Sequence, residues 1–384
     1  MKKPTLAFIS TLAIGAVVLY SQSVVTVLPG QSIQSRIDAA QAGDTIIVSA
    51  GVYNESVLIS KDGITVKCEQ PLKCTAKQFN VYGSNITLDG FKLIGGLSYG
   101  VEVRQHNNTI RNIDISGVLY DFTLPLGQGA AVGIAFFGTG HVFENIHIHD
   151  IDQYHVDDLG YTEPHQDCFI TWHNASRGGS GAFITISNVI CDMPQYGDSF
   201  VSKIFSSSGG SHDWTVTNLV GITPLACLFY DEAHHINISY STFIGAGHAT
   251  PQGCKFLKLN ANPAPHDNSI AYSIFTDMSG THAILETGNA VNSHHNCFWN
   301  VPKRTAELGD VYANPLLLPD YSLGAGSPCA GMGAFPVLGL PMVTPTVTLT
   351  PSQTPTKTPK PTRTPTATAE CVPVFDVWVC NKKP

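Results

Sequence analysis

The sequence predicts an all-β chain wound into a parallel β-helix, with a short helix covering its first coil. Three observations carry that expectation. Charged residues make up 13% of the 384-residue chain, which holds 35 glycines, against roughly 25% charge in an ordinary globular domain. Such a composition suits strands and turns. A theme of Asn, Asp or His followed by alternating β-formers then returns along the chain, as Asn85-Ile86-Thr87-Leu88-Asp89, Asn108-Thr109-Ile110-Arg111-Asn112, His141-Val142-Phe143-Glu144-Asn145 and Asp213-Trp214-Thr215-Val216-Thr217-Asn218. Finally, the intervals between Ile86, Ile110, Val142 and Ile184 are unequal, at 24, 32 and 42 residues. A coil tolerates unequal inserts because each turn touches only its neighbours. Asn suits the bends, since it accepts left-handed backbone and its amide can bond the next coil.

Lys2 and Lys3 precede an apolar run from Leu6 to Tyr20, closed by Ser21-Gln22-Ser23. This is the layout of a secretory signal over residues 1–23, and the run is short for a membrane span of ~20 residues. The protein is therefore expected to be secreted or held at the cell surface. Val24–Val27 reads as a strand. Ile33, Ile37 and Ala40 share one helical face, and a helix there would cover the open end of the stack. Gly43-Asp44-Thr45-Ile46 returns the chain to strand, and Gly51-Val52-Tyr53 closes the unit.

The ten cysteines fit an oxidising compartment. Cys68 with Cys74 and Cys371 with Cys380 are candidates for local disulfides, whereas Cys168, Cys191, Cys227, Cys254 and Cys297 suit buried thiols as well as bridges. No zinc-type Cys spacing occurs, so no structural metal site is expected. The net charge of −8 without Lys/Arg clusters argues against nucleic-acid binding. Asn314-Pro315-Leu316-Leu317-Leu318 and Gly326-Ser327-Pro328-Cys329 read as the closing coil of a domain spanning residues 24–340. Thr-Pro repeats over 341–369 form an extended spacer. Residues 370–384 are too short for an independent domain unless closed by a disulfide.

Through Gly43-Asp44-Thr45-Ile46, Gly51-Val52-Tyr53, the Asn-headed coils and this ending, the chain resembles the right-handed parallel β-helix superfamily that includes pectate-lyase-like proteins. The resemblance implies a right-handed coil. It leaves the activity open, because that superfamily holds lyases, hydrolases, epimerases and non-catalytic adhesins.

Candidate chemistry lies in five apolar runs starting at Asp167, Asp198, Ala226, Cys254 and His282, separated by 31 residues and then by 28 three times. Laid over one another, they place Ile170, Val201, Phe229, Leu257 and Leu285 inside. Asp167 and Asp198 then fall side by side on the outer wall, with Thr171, Ser202, Tyr230, Lys258 and Glu286 on another rung. Two carboxylates roughly 5 Å apart force one to hold its proton or bind a cation such as calcium. Either outcome suits cleavage of a polysaccharide. A protonated and an ionised carboxyl serve glycosidic hydrolysis, while calcium on a uronic acid acidifies its α-proton for β-elimination. His165 shares the face of Asp167 and is the first candidate for proton transfer. Lys203, Lys258, Arg104 and Arg177 are further basic groups, and Trp172 adds an aromatic surface for sugar rings. Asp198 after Gly197 is equally suited to capping a turn, and His165 after Pro164 to a loop. The residues thus point to an exported, carbohydrate-active enzyme, with a non-catalytic glycan-binding or adhesin-like protein as the alternative. In either case the spacer would serve attachment to a cell wall or surface.

Overall fold

The computed structural model of the protein describes residues 22–121, 130–151, 166–193, 202–223, 225–245, 251–258, 263–278, 283–286, 290–302, 306–335, 370–374 and 377–381. The chain is a parallel β-helix. Alternating apolar residues fill its interior, and every coil pairs with the next in parallel. One sheet contains nine strands among the described residues, beginning at Ser56–Ile59 and ending at Ile284–Glu286. Its central members are Tyr99–Val103, Val132–Phe136, Gln166–Thr171 and Ser202–Ser207. The other sheet, of eighteen strands, wraps the remaining sides. Its long members Thr109–Ser116, Val142–His149, Ala182–Asp192 and His212–Ile222 bend in mid-strand.

The bends are built by asparagine. Asn112, Asn145, Asn188 and Asn218 hold φ near 54–55°, the left-handed region that costs other non-glycine residues roughly 1–2 kcal/mol. Their side chains also join coils: Asn145 Nδ2 donates to Asn112 Oδ1 at 3.1 Å and Asn218 Nδ2 to Asn188 Oδ1 at 2.7 Å. A second ladder faces inward at another corner, where backbone amides would otherwise be orphaned. Asn108 Oδ1 accepts from Ile86 N, His141 Nδ1 from Asn108 N and Asn268 Oδ1 from Ile236 N, while beside the first corner Asn296 Oδ1 accepts from Ser273 N.

Ser32 caps the helix Ile33–Ala39 by accepting from Ser35 N, and Ile33, Ile37 and Ala40 are buried over the first coil, as their spacing requires. Phe169, Phe205, Phe229 and Phe256 stack along the interior at centroid separations of 5.7, 6.2 and 4.9 Å. Disulfides join Cys68 to Cys74, Cys168 to Cys191, Cys227 to Cys254 and Cys297 to Cys329. The last three therefore resolve the choice between buried thiols and bridges.

The segment after Ala313 does not form a further coil. Leu317 and Leu323 make an antiparallel bridge, and the chain folds back along the outside of the eighteen-stranded sheet. There Ala334 N donates to Thr242 Oγ1 and Phe335 N to Asn218 Oδ1. Leu317, Tyr321 and Ala334 cover an external apolar stripe of Ile190, Val220 and Ile244. Glu370–Val374 and Val377–Asn381 form an antiparallel pair with Cys371 opposite Cys380. The leader up to residue 21 and the spacer lie outside the described residues.

Burial of the His141 ring, whose Nε2 donates to Phe137 O, pushes its pKa from 6.5 down to about 4. The unfolded chain therefore takes up a proton at a higher pH than the folded one. The stability from this neutral ring is complete above pH 6.5 and is lost as pH falls toward 4, by on the order of 3 kcal/mol. Urea unfolding across that window should show the slope in the wild type and a flatter one in His141→Asn. An unchanged slope in the variant would remove His141 as its origin.

Candidate active site on the nine-stranded sheet

Alternation along Tyr99–Val103 sends Val101 and Val103 into the core and Glu102 to the outside. Register then lines up Asn80, Glu102, Ala135, Ile170, Ser206, Leu228 and Lys255 along the external wall. Around Glu102 the wall carries a dense polar cluster. Tyr82 Oη donates to Glu102 Oε2 at 2.5 Å, Arg104 Nε to Oε1 at 3.0 Å, and Arg177 Nη1 to Oε1 at 2.8 Å. Arg104 Nη2 also donates to Tyr82 Oη at 2.9 Å, and its guanidinium lies 3.6 Å above the Tyr82 ring. Arg177 reaches this cluster from a 3₁₀ turn, Ala175–Arg177, capped by Asn174.

Aromatic side chains form the cluster's other border. Arg177 lies 5.0 Å from the Phe137 ring centroid and 5.4 Å from that of Trp172, and those rings meet edge to face at 4.6 Å. Ala130, Val132, Ala135, Phe137 and Ile170 make an apolar patch outside the coil, with Tyr99 and Trp172 packed on it. Burial and the hydrogen bond to Glu102 push the Tyr82 phenol up to about 12. Burial and the Glu102 charge raise Tyr99. Both phenols stay protonated at neutral pH and can donate. Glu102 is 3% exposed, whereas the arginine side chains are about a quarter exposed, at 24% and 26%. The site thus presents two cations and the partly exposed Trp172 over one buried anion, with Phe137 fully buried behind Trp172.

Of the residues expected from sequence, Arg177 and Trp172 belong to this cluster, together with Arg104. Asp167 and Lys203 form a separate, buried pair: they are register partners, with Lys203 Nζ 3.4 Å from Asp167 Oδ1. The neighbour of Asp167 on the next coil is therefore Lys203 and not Asp198. His165 and Asp198 lie outside the described residues. The cause is unequal coil length. Register pairs from Asp167 to Lys203, Leu225 and Gln252, and then from Cys254 to Ile284, are separated by 36, 22, 27 and 30 residues, not by a steady 28.

The expected rung of Thr171, Ser202, Tyr230, Lys258 and Glu286 is likewise replaced. Thr171 pairs with Ser207, then come Phe229, Phe256 and Glu286. Tyr230 pairs with Leu257, Lys258 is exposed, and Glu286 Oε2 accepts from Val291 N at a turn. The inward parity is reversed in two of the runs, where Phe169 and Phe256 enter the core and Ile170 joins the outer patch, while Phe229 lies inside as expected. Aromatic rings fill the coil, and the aliphatic Ile170 is covered outside by Trp172 and Phe137.

Tyr82, Glu102, Tyr99 and Phe137 were not singled out from the sequence. Part of the signal was present, since Val101-Glu102-Val103-Arg104 alternates and puts Glu102 and Arg104 on one face. Arg177 joins them from 75 residues away in sequence, a distance that no local pattern spans.

No protein-family model and no curated protein sequence matches the chain. Among solved structures it is similar to a mannuronic acid specific polysaccharide family 6 lyase from human gut microbiota, at 13% identity and TM-score 0.46 over 75% of this chain and 78% of that one. It is also similar to pectate lyase Pel9A, at 13% identity and TM-score 0.41 over 70% and 80%. A family 28 exopolygalacturonase of Yersinia enterocolitica matches at 10% identity and TM-score 0.42 over 73% and 72%. These likenesses concern the coil; the functional reading rests on the side chains above.

Replacing Glu102 by Gln would leave two guanidiniums facing each other across a neutral amide. Urea denaturation should show a loss of about 1–3 kcal/mol, moderated by the arginines' exposure. An unchanged midpoint would mean that the patch is not organised around Glu102.

Proposed function

We propose that this protein is an exported enzyme that cleaves an acidic polysaccharide by β-elimination on the outer wall of the nine-stranded sheet. The observation that carries this reading is the Arg104–Arg177 pair, each side chain about a quarter exposed, anchored on buried Glu102 beside Trp172. A uronate offers a planar carboxylate for a guanidinium fork and a ring face for an aromatic surface. Neutralising that carboxylate acidifies the α-proton, which a base removes as the glycosidic oxygen leaves. The proton-transfer role is assigned to His165, immediately before the described strand, with Lys203 second.

Hydrolysis by a carboxyl pair has less support among the described residues. Glu102 and Asp167 sit two coils and three residues apart in register, roughly 14 Å, beyond the ~6.5–9.5 Å that an inverting pair spans. Calcium held by Asp167 and Asp198 would be a second means of neutralising the uronate. Asp167 and Glu102 are already ion-paired with Lys203 and the two arginines, so neutralisation by arginine is the reading preferred here. Extracellular work is supported by disulfides joining successive coils, and the Thr/Pro spacer would tie the enzyme to a wall or surface.

The test is incubation with polyuronates and neutral glycans, with calcium or chelator, following unsaturated-product absorbance and reducing ends. Unsaturated ends on a polyuronate are expected, persisting in chelator and falling about 10- to 100-fold in kcat/KM for Arg177→Ala. Loss on chelation would restore calcium, and reducing ends alone would indicate hydrolysis. Binding without turnover across the panel would replace the enzyme with a glycan-binding surface protein.

A further inference from the structure

On the eighteen-stranded sheet, away from the proposed polysaccharide site, three side chains converge from neighbouring coils. Ile113, Ile115, Ile146 and Ile148 are buried in the core, so the alternate residues Asp114, His147 and His149 lie on the outside. Asp114 and His147 are register partners. His147 Nδ1 stands 3.3 Å and His149 Nε2 3.4 Å from Asp114 Oδ2. One ligand atom from each of the three lies within 4.8 Å of the others.

Two features distinguish this group from an ordinary surface ion pair. Asp114 is 4% exposed, and its buried Oδ1 has no hydrogen-bond partner, with Lys92 Nζ 3.8 Å away. His149 Nε2 is buried and equally without a hydrogen bond, while its other ring nitrogen, Nδ1, lies 2.6 Å from Asp150 Oδ2. A carboxylate on Nδ1 fixes the tautomer that leaves the Nε2 lone pair pointing at Asp114, an arrangement typical of metal-bound imidazoles. In that tautomer His149 Nε2 and Asp114 Oδ2, 3.4 Å apart, are both acceptors and repel unless a proton or a metal cation lies between them. Tetrahedral zinc bonds of about 2.0–2.1 Å to nitrogen and oxygen place neighbouring donors roughly 3.3 Å apart, close to the separations here.

We propose that Asp114, His147 and His149 form a binding site for a divalent transition metal of the zinc class. Asp192 follows Cys191, the register partner of Ile148, on the next coil and lies outside the three-residue group. The metal ties together the consecutive coils that carry Thr109–Ser116 and Val142–His149. The metal-free alternative is a protonated cluster. In it, burial would push the Asp114 carboxyl up, but hydrogen bonds from His147 and His149 outweigh this and hold it well below the usual range. His149 would be raised despite burial, through Asp114 and Asp150.

The full chain, prepared without a polyhistidine tag and stripped by chelator, is titrated with Zn²⁺ by calorimetry and, separately, with Co²⁺ by visible absorption. One equivalent of Zn²⁺ should bind with Kd below about 1 µM, raising Tm, and Co²⁺ should give the intense visible bands of a tetrahedral N/O site. His149→Gln, with its fold checked by circular dichroism, should abolish both. The exposed Asp150→Asn should weaken binding by about 10- to 100-fold, which a simple ion-pair cluster would not show. His235→Gln, altering a separate Asp–His group at Asp213, should leave binding intact. Absence of saturable binding by the wild type, or binding that survives His149→Gln, would overturn the proposal.

Discussion

Parallel, in-register pairing of each coil with the next is the constraint on which this molecule depends. It satisfies the backbone, but it also sets a given side chain about 4.8 Å from its counterparts above and below. Neutral groups profit from that repetition. Phenylalanines stack inside, asparagine amides chain along the bends, and His212, His234 and His266 stack at 4.9 and 5.0 Å. Charges cannot repeat without repulsion. Three buried carboxylates are accordingly met by basic groups from another coil: Glu102 by Arg177, Asp167 by Lys203, and Asp114 by His147 and His149. Chemistry on such a scaffold therefore concentrates where unlike neighbours interrupt the ladders.

The fold was legible because its signals are local. A left-handed Asn at a bend, an apolar alternation and a helix of Ile33 and Ile37 can each be read within about ten residues. The site was only partly legible, because its geometry depends on register, which is a sum of coil lengths. The steady 28-residue spacing of apolar runs was a property of the runs and not of the coils, and it aligned Asp167 with the wrong residue. Parity failed for a related reason: both faces of Gln166–Thr171 are buried, one by the core and one by the outer aromatic patch. Hydropathy has no contrast to read in such a strand. The residues that survived, Arg177 and Trp172, were chosen for their chemistry and not from the ladder.

The histidines make the same point from the other direction. Stacking at the bends accounts for His234, and His141 is a buried turn ligand for Asn108 N. His147 and His149 instead occupy the outer face of a strand, where Asp114 of the preceding coil meets them. A zinc pattern sought as a Cys or His spacing in one segment cannot register such a group, because a solenoid recruits ligands across coils.

Net charge illustrates how a global property misleads about a local one. A chain at −8 would be expected to repel a polyanion. Yet charges at a protein surface are screened over about 8–10 Å at ordinary ionic strength, so a sugar carboxylate against the nine-stranded sheet feels mainly the groups in reach. Around Glu102 these are two guanidiniums against one carboxylate, the anion at the base and the cations outermost. Burying the glutamate orients both arginines and leaves the exposed part of the patch positive. The acidic balance of the whole chain and an attraction for anions at this wall are therefore compatible, with Glu102 serving as the anchor that makes the arrangement rigid.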